Sequence, residues 1–385
     1  MKHAAAAADC IGRWCEAGTK PVDGVVEKDR LYGTVGNRMG GIPVNDRAVN
    51  LLENYEIEVH RTWKGRGTIL CESDQGLLIL KEYNGSGEKI VWQDLFLERL
   101  HREGAVRAER ILKTKEGELT VQDQDRVTYI VKTSFDGREC NVREGRECMA
   151  AVSLLARMHG HAALTGEDST LSEGMSGISS MRMQGEYEKH NRELRRVRKF
   201  LREKSQKSDF ELFLLKHYDR FLEQAVRIGE EAAAFEEKTE TGREICFCHG
   251  DYQHHNILFL KGEGAACEDM ALINFEKCIP DNPVRDLYLF MRKLMEKGNW
   301  SPELADRLLK AYCQERPLET EDYMNLYYRF SYPEKFWKIV NFYYNSGKAW
   351  IPERNMEKLK KLLAQEERKQ SFLENYKSQY GCFSF

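Results

Sequence analysis

The chain has 385 residues, of which 59 are basic and 62 acidic, so its net charge is −3 at neutral pH. This balance provides no global attraction to nucleic acid or to an anionic membrane, and no uninterrupted apolar stretch reaches the roughly 18 residues that predict a membrane span. Hydrophobic residues make up 41% of the chain, and its length suits two lobes around a shared cleft.

The N-terminal segment has the pattern of a mobile leader. Residues 1–45 show little periodicity and contain closely spaced glycines. The alanine run at residues 4–8 is soon followed by Asp9 and Arg13, so it lacks the apolar core of a secretory signal. The eleven cysteines are scattered without a Cys-x-x-Cys pair, which indicates neither a zinc site nor a disulfide framework. These features favour a cytoplasmic protein.

Residues 46–133 have the pattern of a small β-sheet lobe that binds a nucleotide. Strands are predicted at residues 55–63 and 68–71, and the tight turn between them contains Gly65 and Gly67. Such a turn could cover the phosphates of ATP. It is weak evidence by itself, because two glycines do not make a full phosphate-binding repeat.

The next predicted strand, residues 77–81, ends in Lys81 and is followed by a predicted helix at residues 88–102. A lysine on an apolar strand is costly to bury without a partner. We therefore expect Lys81 to contact phosphate oxygens and to pair with Glu98 on the helix, as in kinase sites. The alternative is an exposed lysine at the end of a strand.

A hinge is expected after the strand at residues 127–132, so that residues 134–385 form a second, larger and mostly helical lobe. Within it, residues 181–237 read as a helical insertion, and its portion at residues 189–207 is strongly basic. A solvated helix face is one interpretation of this charge, and docking of an anionic partner or phosphorylated acceptor is the other.

The segment His-Gly-Asp-Tyr-Gln-His-His-Asn at residues 249–256 has the spacing of a phosphotransferase catalytic loop. In such loops an Asp accepts the hydroxyl proton of the acceptor and a later Asn holds a metal ion. Asp251 and Asn256 occupy these two positions, and His249 precedes them as a further catalytic candidate. The loop lies between two short apolar runs that predict strands.

A second motif follows a buried strand predicted at residues 270–273. Kinase sites place a metal-binding carboxylate at the end of this strand, but here the residue is Asn274. Glu276 projects to the same side two residues later and could reach a metal. Asp286 begins the next predicted helix, where it would hydrogen-bond the catalytic-loop backbone, cap the helix, or do both.

The C-terminal region is rich in aromatic residues. Most are expected in the core, since their rings bury large apolar areas. Others could line an acceptor pocket, a protein interface or a cage for a quaternary ammonium group. The residues concerned are Tyr327, Tyr328, Phe330, Tyr332, Phe336, Trp337, Phe342, Tyr343, Tyr344 and Trp350.

Taken together, these motifs resemble the CotS-type spore coat proteins, a branch of the aminoglycoside phosphotransferase and choline kinase-like superfamily. Besides the catalytic loop, the resemblance rests on residues 80–86, 137–140, 281–293, 332–338, 343–345 and 348–352. It implies an α+β, two-lobed protein kinase-like fold, with ATP and Mg²⁺ as cofactors to be tested. It also implies expression in the mother cell during sporulation and association with coat proteins around the forespore.

The function turns on Asn274, because an amide there removes one charge from a site that must hold a hard cation. Our preferred interpretation is a coat-associated protein that is weak or inactive as a phosphotransferase. The second is an active kinase of a small molecule or coat protein, with Asp251 as base, Lys81 on phosphate, and Asn256 and Glu276 on magnesium. The third is a structural scaffold with an empty cleft.

Overall fold

The computed structural model describes most of the chain and leaves out the predicted leader. Its described residues are 47–65, 67–162, 182–239, 246–261, 269–345 and 352–381. The predicted leader at residues 1–45 therefore lies outside them, as does the part of the C-terminal motif at residues 346–351.

An antiparallel sheet of five strands forms the N-terminal lobe, in the order β1-β2-β3-β6-β5. Gly67 and Gly76 adopt positive φ angles of 69° and 94° in the two hairpin turns, a conformation that glycine adopts without steric cost. The strands are β1 (Val59–Lys64), β2 (Thr68–Ser73), β3 (Gly76–Glu82), β5 (Val121–Gln122) and β6 (Thr128–Thr133), and a 3-10 helix (Arg47–Asn54) precedes them.

Helix α1 (Gly87–Glu103) connects this sheet to the larger lobe. Its first turn is capped by the Ser86 side chain, which accepts a hydrogen bond from the Lys89 backbone at 3.2 Å. Trp92 and Phe96 project from the buried face and stack on Phe247, with ring centroids 5.4 and 4.6 Å away. These rings anchor α1 against the strand that leads into the catalytic loop.

The cleft is framed by short strands and backed by helices. A four-stranded sheet has the order β4-β10-β9-β7, and β8 pairs with β11. The strands are β4 (Arg107–Ala108), β7 (Gly137–Glu139), β8 (Cys246–Cys248), β9 (Ile257–Leu260), β10 (Met270–Leu272) and β11 (Ile279–Asp281). The helices are α2 (Gly145–His161), α3 (Met183–Glu203), α4 (Asp209–Lys238), α5 (Val284–Lys297), α6 (Pro302–Cys313), α7 (Thr320–Ser331), α8 (Glu334–Asn345) and α9 (Pro352–Tyr380).

Helices α3 and α4 form the predicted insertion and have their own apolar cluster with α8. A capping box at Ser208 and Glu211 begins α4. On the basic surface of α3, Arg198 and Arg202 both pair with Asp219 of α4, at 2.6 and 3.1 Å. Part of the basic charge noted in the sequence is therefore neutralised within the insertion.

The observed architecture is α+β, with a small antiparallel N-terminal lobe and a mostly helical C-terminal lobe, as the sequence predicted. After β6, where the sequence predicts a hinge, the Ser134 amide donates to the Leu77 carbonyl at 2.8 Å. None of the helices in the described residues is both long and apolar enough to cross a membrane.

Candidate functional site

The catalytic-loop segment turns sharply at Gly250, where φ is +75°. A Cβ atom at this position would lie 1.9 Å from the carbonyl oxygen of Lys277, so no larger residue fits without moving the backbone. Asp286 fixes the same turn, since its carboxylate accepts from the amides of His249 at 2.5 Å and Gly250 at 3.0 Å. Asp286 lies in the first turn of α5, and Pro283 is the capping residue.

His249 is fully buried and lies within the structure of the loop. One ring nitrogen, Nε2, is 3.0 Å from the carbonyl of Ile273, so it carries the proton and donates. The other, Nδ1, accepts from the Asp251 amide at 3.2 Å. Both nitrogens therefore bond to the backbone, and one of these bonds holds the Asp251 amide. These contacts favour a positioning role for His249, and its catalytic role stays a prediction.

Asp251 lies at the mouth of the cleft with its carboxylate hydrogen-bonded. Its Oδ2 accepts from the Lys277 ammonium at 2.9 Å, and its Oδ1 accepts from the Gln253 amide. Burial acts to raise the pKa of Asp251, but the hydrogen bond and charge of Lys277 outweigh it and hold the pKa below its usual value. Asp251 is therefore an ionised acceptor at neutral pH.

Asn256 and Asn274, both predicted metal ligands, contact each other directly. The Asn274 side-chain amide donates to Asn256 Oδ1 at 2.8 Å, and Asn256 donates in turn to the Asp251 carbonyl at 2.8 Å. Asn274 has a left-handed backbone with φ of 67°, which Asn tolerates better than most residues. Its backbone amide is held by Glu109 at 2.7 Å.

A second lysine, Lys132 on β6, lies at the centre of the predicted metal site. Its ammonium contacts oxygen atoms of Glu276 at 2.6 Å, Glu109 at 2.8 Å and Asn274 at 3.1 Å. Lys132 and Glu109 are each only 1% exposed. Burial alone would lower the pKa of Lys132, but the charges and hydrogen bonds of Glu109 and Glu276 raise it above its ordinary value. This lysine is therefore a permanent cation.

Glu276 also pairs with Lys81, at 3.0 Å from the Lys81 ammonium. In the sheet register, Lys81 lies opposite Ile130 and Ile79 opposite Lys132, so both lysines lie on one face of the sheet. Burial would raise the pKa of Glu276, but the two lysines lower it to about 2. Lys81 is thus in the cleft, as predicted, but its observed partner is Glu276.

Glu98 is not the partner of Lys81 among the described residues, which corrects the predicted ion pair. It is 42% exposed and binds Arg110 instead, with Arg110 nitrogen atoms 2.9 and 3.0 Å from Glu98 Oε1. Glu276 already supplies a carboxylate to Lys81 in a more buried position. The helix spacing correctly suggested proximity to the sheet, but it could not show which cation Glu98 faces.

The turn with Gly65 and Gly67 lies between β1 and β2, as predicted. The Gly65 amide donates to the Thr68 carbonyl at 2.8 Å. A Cβ on Gly65 would lie 2.5 Å from the Thr68 hydroxyl and 2.6 Å from Leu70, so the tight turn excludes a side chain there. The described contacts of these glycines are all with the turn itself, and phosphate binding by them stays a prediction.

The residues present do not fit a divalent metal in the observed arrangement. Mg²⁺ requires near-octahedral oxygen coordination at short range, whereas Asn274 and Glu276 already accept from the Lys132 ammonium. Asn256 Oδ1 accepts from the Asn274 amide. The predicted metal ligands are therefore engaged with nitrogen donors of the chain.

Sequence reasoning missed Lys132 and Glu109. The signal was available for Lys132, because it follows the apolar residues Ile130 and Val131 on a strand. The cost of burying an unpaired lysine, which singled out Lys81, applies equally there. Glu109 follows a strand of only two residues, β4, and no local pattern marks it.

Two lobes, a short link and an Asp-bearing loop at their cleft define a protein with the fold of the aminoglycoside phosphotransferase and choline kinase-like class. The structure is similar to an aminoglycoside phosphotransferase from Alicyclobacillus acidocaldarius, with a TM-score of 0.71 and 19% identity, covering 89% of this chain and 98% of that one. It is also similar to a spectinomycin phosphotransferase solved with ADP and spectinomycin, with a TM-score of 0.53 and 14% identity over 86% of this chain and 92% of that one. A third similar structure is an amicoumacin kinase with AMP-PNP and Ca²⁺, with a TM-score of 0.52 and 12% identity over 86% and 94%.

The sequence model of the family described as "Spore coat putative kinase YutH" matches residues 48–376, so the chain belongs to this family of spore coat proteins. Spore coat protein S of Bacillus subtilis (strain 168) is 25% identical over 327 residues, which is 82% of this chain and 88% of that protein. The resemblance to CotS-type coat proteins is thereby confirmed, and so is the kinase-like fold.

Proposed function

We propose that this protein associates with the spore coat and binds a nucleotide in its cleft, but transfers phosphate weakly or not at all. The observation that carries the proposal is the Lys132 ammonium bonded to Asn274 and Glu276, where a kinase site requires a metal ion. A tethered lysine provides one positive charge at a fixed position. It cannot bridge two phosphate groups as a divalent ion does.

Electrostatics oppose metal entry into this arrangement. A divalent ion near Glu276 would lie close to two lysines, Lys81 and Lys132, whose ammonium groups are 3.0 and 2.6 Å from the same carboxylate oxygen. Like charges at such separations repel strongly in a partly buried site. The ion would have to displace Lys132, which would leave Glu109 without its cation. This supports nucleotide binding that does not depend on Mg²⁺.

Lys81 is the group that would contact the nucleotide phosphates. It lies on the cleft face of β3, its side chain is 23% exposed, and its described ion pair is with Glu276. An ammonium group has three donors, so donors remain for phosphate oxygens while the Glu276 contact persists.

Association with the coat is supported by the family membership and by the similarity to Spore coat protein S. We propose that the protein is made in the cytoplasm of the mother cell and assembles with other coat proteins on the forespore. The test is to fractionate sporulating and growing cells. Detection in the coat fraction of sporulating cells only, and retention there by an Asp251→Asn variant, is expected. Constitutive expression, or release by that variant, would favour a metabolic or catalytic role.

An active phosphotransferase is the second candidate, with a small-molecule hydroxyl or a coat protein as acceptor. Asp251 favours it, because this carboxylate is ionised and its loop is fixed by Asp286. In that case Asp251 is the base, Lys81 binds phosphate, and Lys132 must leave Glu276 and the two asparagines before metal binds.

A thermal-shift titration with ATP, in excess Mg²⁺ and in EDTA, separates these candidates, because a ligand of the native state raises its apparent stability. We expect equal shifts in both conditions and near-zero ATP turnover. Lys81→Ala should abolish the shift, while Lys310→Ala should not. Lys310 is a matched control, since it also loses one ion pair, to Asp306 at 2.7 Å.

A variant that restores the carboxylate expected at position 274 tests the same proposal in the opposite direction, by a gain of activity. Asn274→Asp places a third carboxylate beside Lys132, next to Glu109 and Glu276, and we expect it to make ATP binding respond to Mg²⁺ and to raise turnover. If wild type already requires Mg²⁺ and Glu276→Gln removes its turnover, the active kinase is correct. If ATP raises the melting temperature of neither the wild type nor any variant, the cleft binds no nucleotide. The scaffold interpretation then replaces both kinase candidates.

A further inference from the structure

A cavity of about 360 Å³ lies in the C-terminal lobe, between α5, the start of α8 and α9. This volume is at the lower end of the range for small-molecule sites. His254 and Lys293 form its edge towards the catalytic loop, where the Lys293 ammonium donates to the Gln253 side chain. The cavity is lined by none of the cleft residues Lys81, Lys132 and Glu276.

Lys369 is the decisive residue of this cavity. It lies on α9, lines the cavity, and is only 8% exposed. Among the described residues it has no carboxylate or hydrogen-bond partner, and its described contact is with the Trp300 ring, 5.3 Å from the ammonium. The carboxylates of Glu366, Glu296 and Glu334 act on it from beyond ion-pair distance and do not offset its burial. Burying an ammonium without a close counter-charge is costly, so a bound anion would stabilise Lys369.

Among the other residues that line the cavity, positive charges outnumber negative ones. Four further lysines, Lys293, Lys297, Lys358 and Lys361, line it without an ion pair to a described carboxylate. The carboxylates that line it are already engaged. Glu296 binds Arg292 at 2.6 Å and Lys335 at 3.0 Å, Glu334 binds Arg292 and Lys338, and Glu366 is 3.7 Å from Arg220.

Burial and neighbouring cations lower the pKa values of two lysines in the cavity, Lys293 and Lys369. Burial, and then Arg292, lower the pKa of Lys293 to about 8. Burial also lowers the pKa of Lys369. A bound anion would reverse both effects, because an opposite charge nearby favours the protonated amine.

Aromatic and aliphatic side chains supply the remaining walls. Tyr288, Phe290, Trp300, Phe330 and Leu362 line the cavity with the lysines. The sequence left open whether aromatic rings of this region form a cage for a quaternary ammonium ligand. Here the ammonium over Trp300 is the protein's own Lys369, and the excess positive charge repels a cationic ligand.

We propose that this cavity binds a small organic anion, a phosphate or carboxylate group attached to an apolar body. The anionic group pairs with Lys369 and the lysines around it, and the apolar body packs on Trp300 and its neighbouring rings. The site goes beyond the nucleotide cleft proposed above and does not depend on it.

The test is calorimetric titration of the full-length protein with phenyl phosphate, benzoate, inorganic phosphate and tetramethylammonium at constant ionic strength. We expect the two aromatic anions to bind more tightly than inorganic phosphate, and tetramethylammonium not to bind. The ratio of phenyl phosphate to benzoate affinity distinguishes phosphate from carboxylate as the preferred group. Absence of anion binding, or tighter binding of the cation, overturns the proposal.

Variants locate the binding. Lys369→Met should weaken phenyl phosphate binding at least tenfold, because it removes a charge-assisted hydrogen bond in a buried site. Lys361→Gln, an exposed position that cannot disturb folding, should weaken it less. Lys360→Met, an exposed lysine of α9 outside the cavity, is the matched control and should have no effect. If Lys81→Ala abolishes binding while Lys369→Met and Lys361→Gln do not, the anion occupies the nucleotide cleft and this proposal is wrong.

Discussion

Two buried lysines in different parts of this molecule have opposite surroundings. Lys132, in the cleft, is 1% exposed and contacts three oxygen atoms of the chain within 3.1 Å. Lys369, in the C-terminal cavity, is 8% exposed and has no carboxylate partner among the described residues. The first site is electrostatically complete and the second is not.

This difference distinguishes a lysine that stabilises the fold from a lysine that is available to bind a ligand. Desolvation disfavours an ammonium in both places, and only in the cleft do the chain's own carboxylates outweigh it. In the complete cluster Lys132 and Lys81 compete with a metal ion for the Glu276 carboxylate, so it fits a cleft that binds nucleotide without turnover. An incomplete cluster leaves favourable energy to be gained from a ligand, so it fits a recognition site.

The largest expected effect is the loss of stability on replacing the paired lysine. Lys132→Met leaves the buried Glu109 carboxylate without a counter-charge, and we expect a loss of about 3–5 kcal/mol in the free energy of unfolding. Urea denaturation followed by circular dichroism measures it. Adding Glu109→Gln should recover part of the loss, because it removes the uncompensated charge. A loss below about 1 kcal/mol would show that the cluster does not form in solution.

The sequence predicted much of the fold, and parts of the site, for identifiable physical reasons. The turn at Gly65 and the loop residues Asp251 and Asn256 lie in local patterns that short segments specify by themselves. The partners of Lys81 could not be predicted in this way. Its ion pair joins β3 to Glu276, almost two hundred positions later in the chain, and a periodicity argument has no access to such a contact.

The cluster around Lys132 illustrates the same limit. Its carboxylate Glu109 lies beside a two-residue strand, β4, that becomes visible only when it pairs in parallel with β10. The cavity around Lys369 is built from side chains on α5, α8 and α9 and has no sequence signature at all. The sequence shows that this region contains lysines. Only the packed structure shows that Lys369 is buried without an ion-pair partner among the described residues.

Acid should reveal the cleft cluster as the second-largest effect. The pKa of Glu276 in the folded protein is about 2, below its ordinary 4.5. Its stabilisation is therefore present above about pH 4.5 and lost as the pH falls towards 2, by at most about 3 kcal/mol. Wild type and Glu276→Gln should differ in unfolding free energy at pH 7, and the difference should shrink below about pH 4.5 and vanish only as the pH approaches 2. A constant difference at all pH values would mean that Glu276 is not ionically paired.

Replacing the unpaired lysine should have a smaller effect of opposite sign. Lys369→Met fills the same space without an ammonium to desolvate, so we expect unfolding free energy in ligand-free buffer at pH 7 to be unchanged or higher by about 1 kcal/mol. The lost contact with Trp300 offsets part of the gain. The same urea denaturation measures it. A destabilisation as large as that of Lys132→Met would reveal an internal counter-charge and remove the contrast between the two sites.

The smallest expected effect concerns Glu98, the predicted partner of Lys81. Its pair with Arg110 is exposed on both sides, with side chains 42% and 43% accessible, and such pairs contribute at most about 1 kcal/mol because solvent screens them. Glu98→Gln should therefore leave both the unfolding free energy and the ATP-induced thermal shift close to wild type, whereas Lys81→Ala should abolish the shift. If Glu98→Gln abolishes the shift as well, nucleotide binding must draw Glu98 away from Arg110 and onto Lys81. The cleft would then be able to exchange its internal ion pairs, and the complete cluster around Lys132 would be one state of a site that opens to metal.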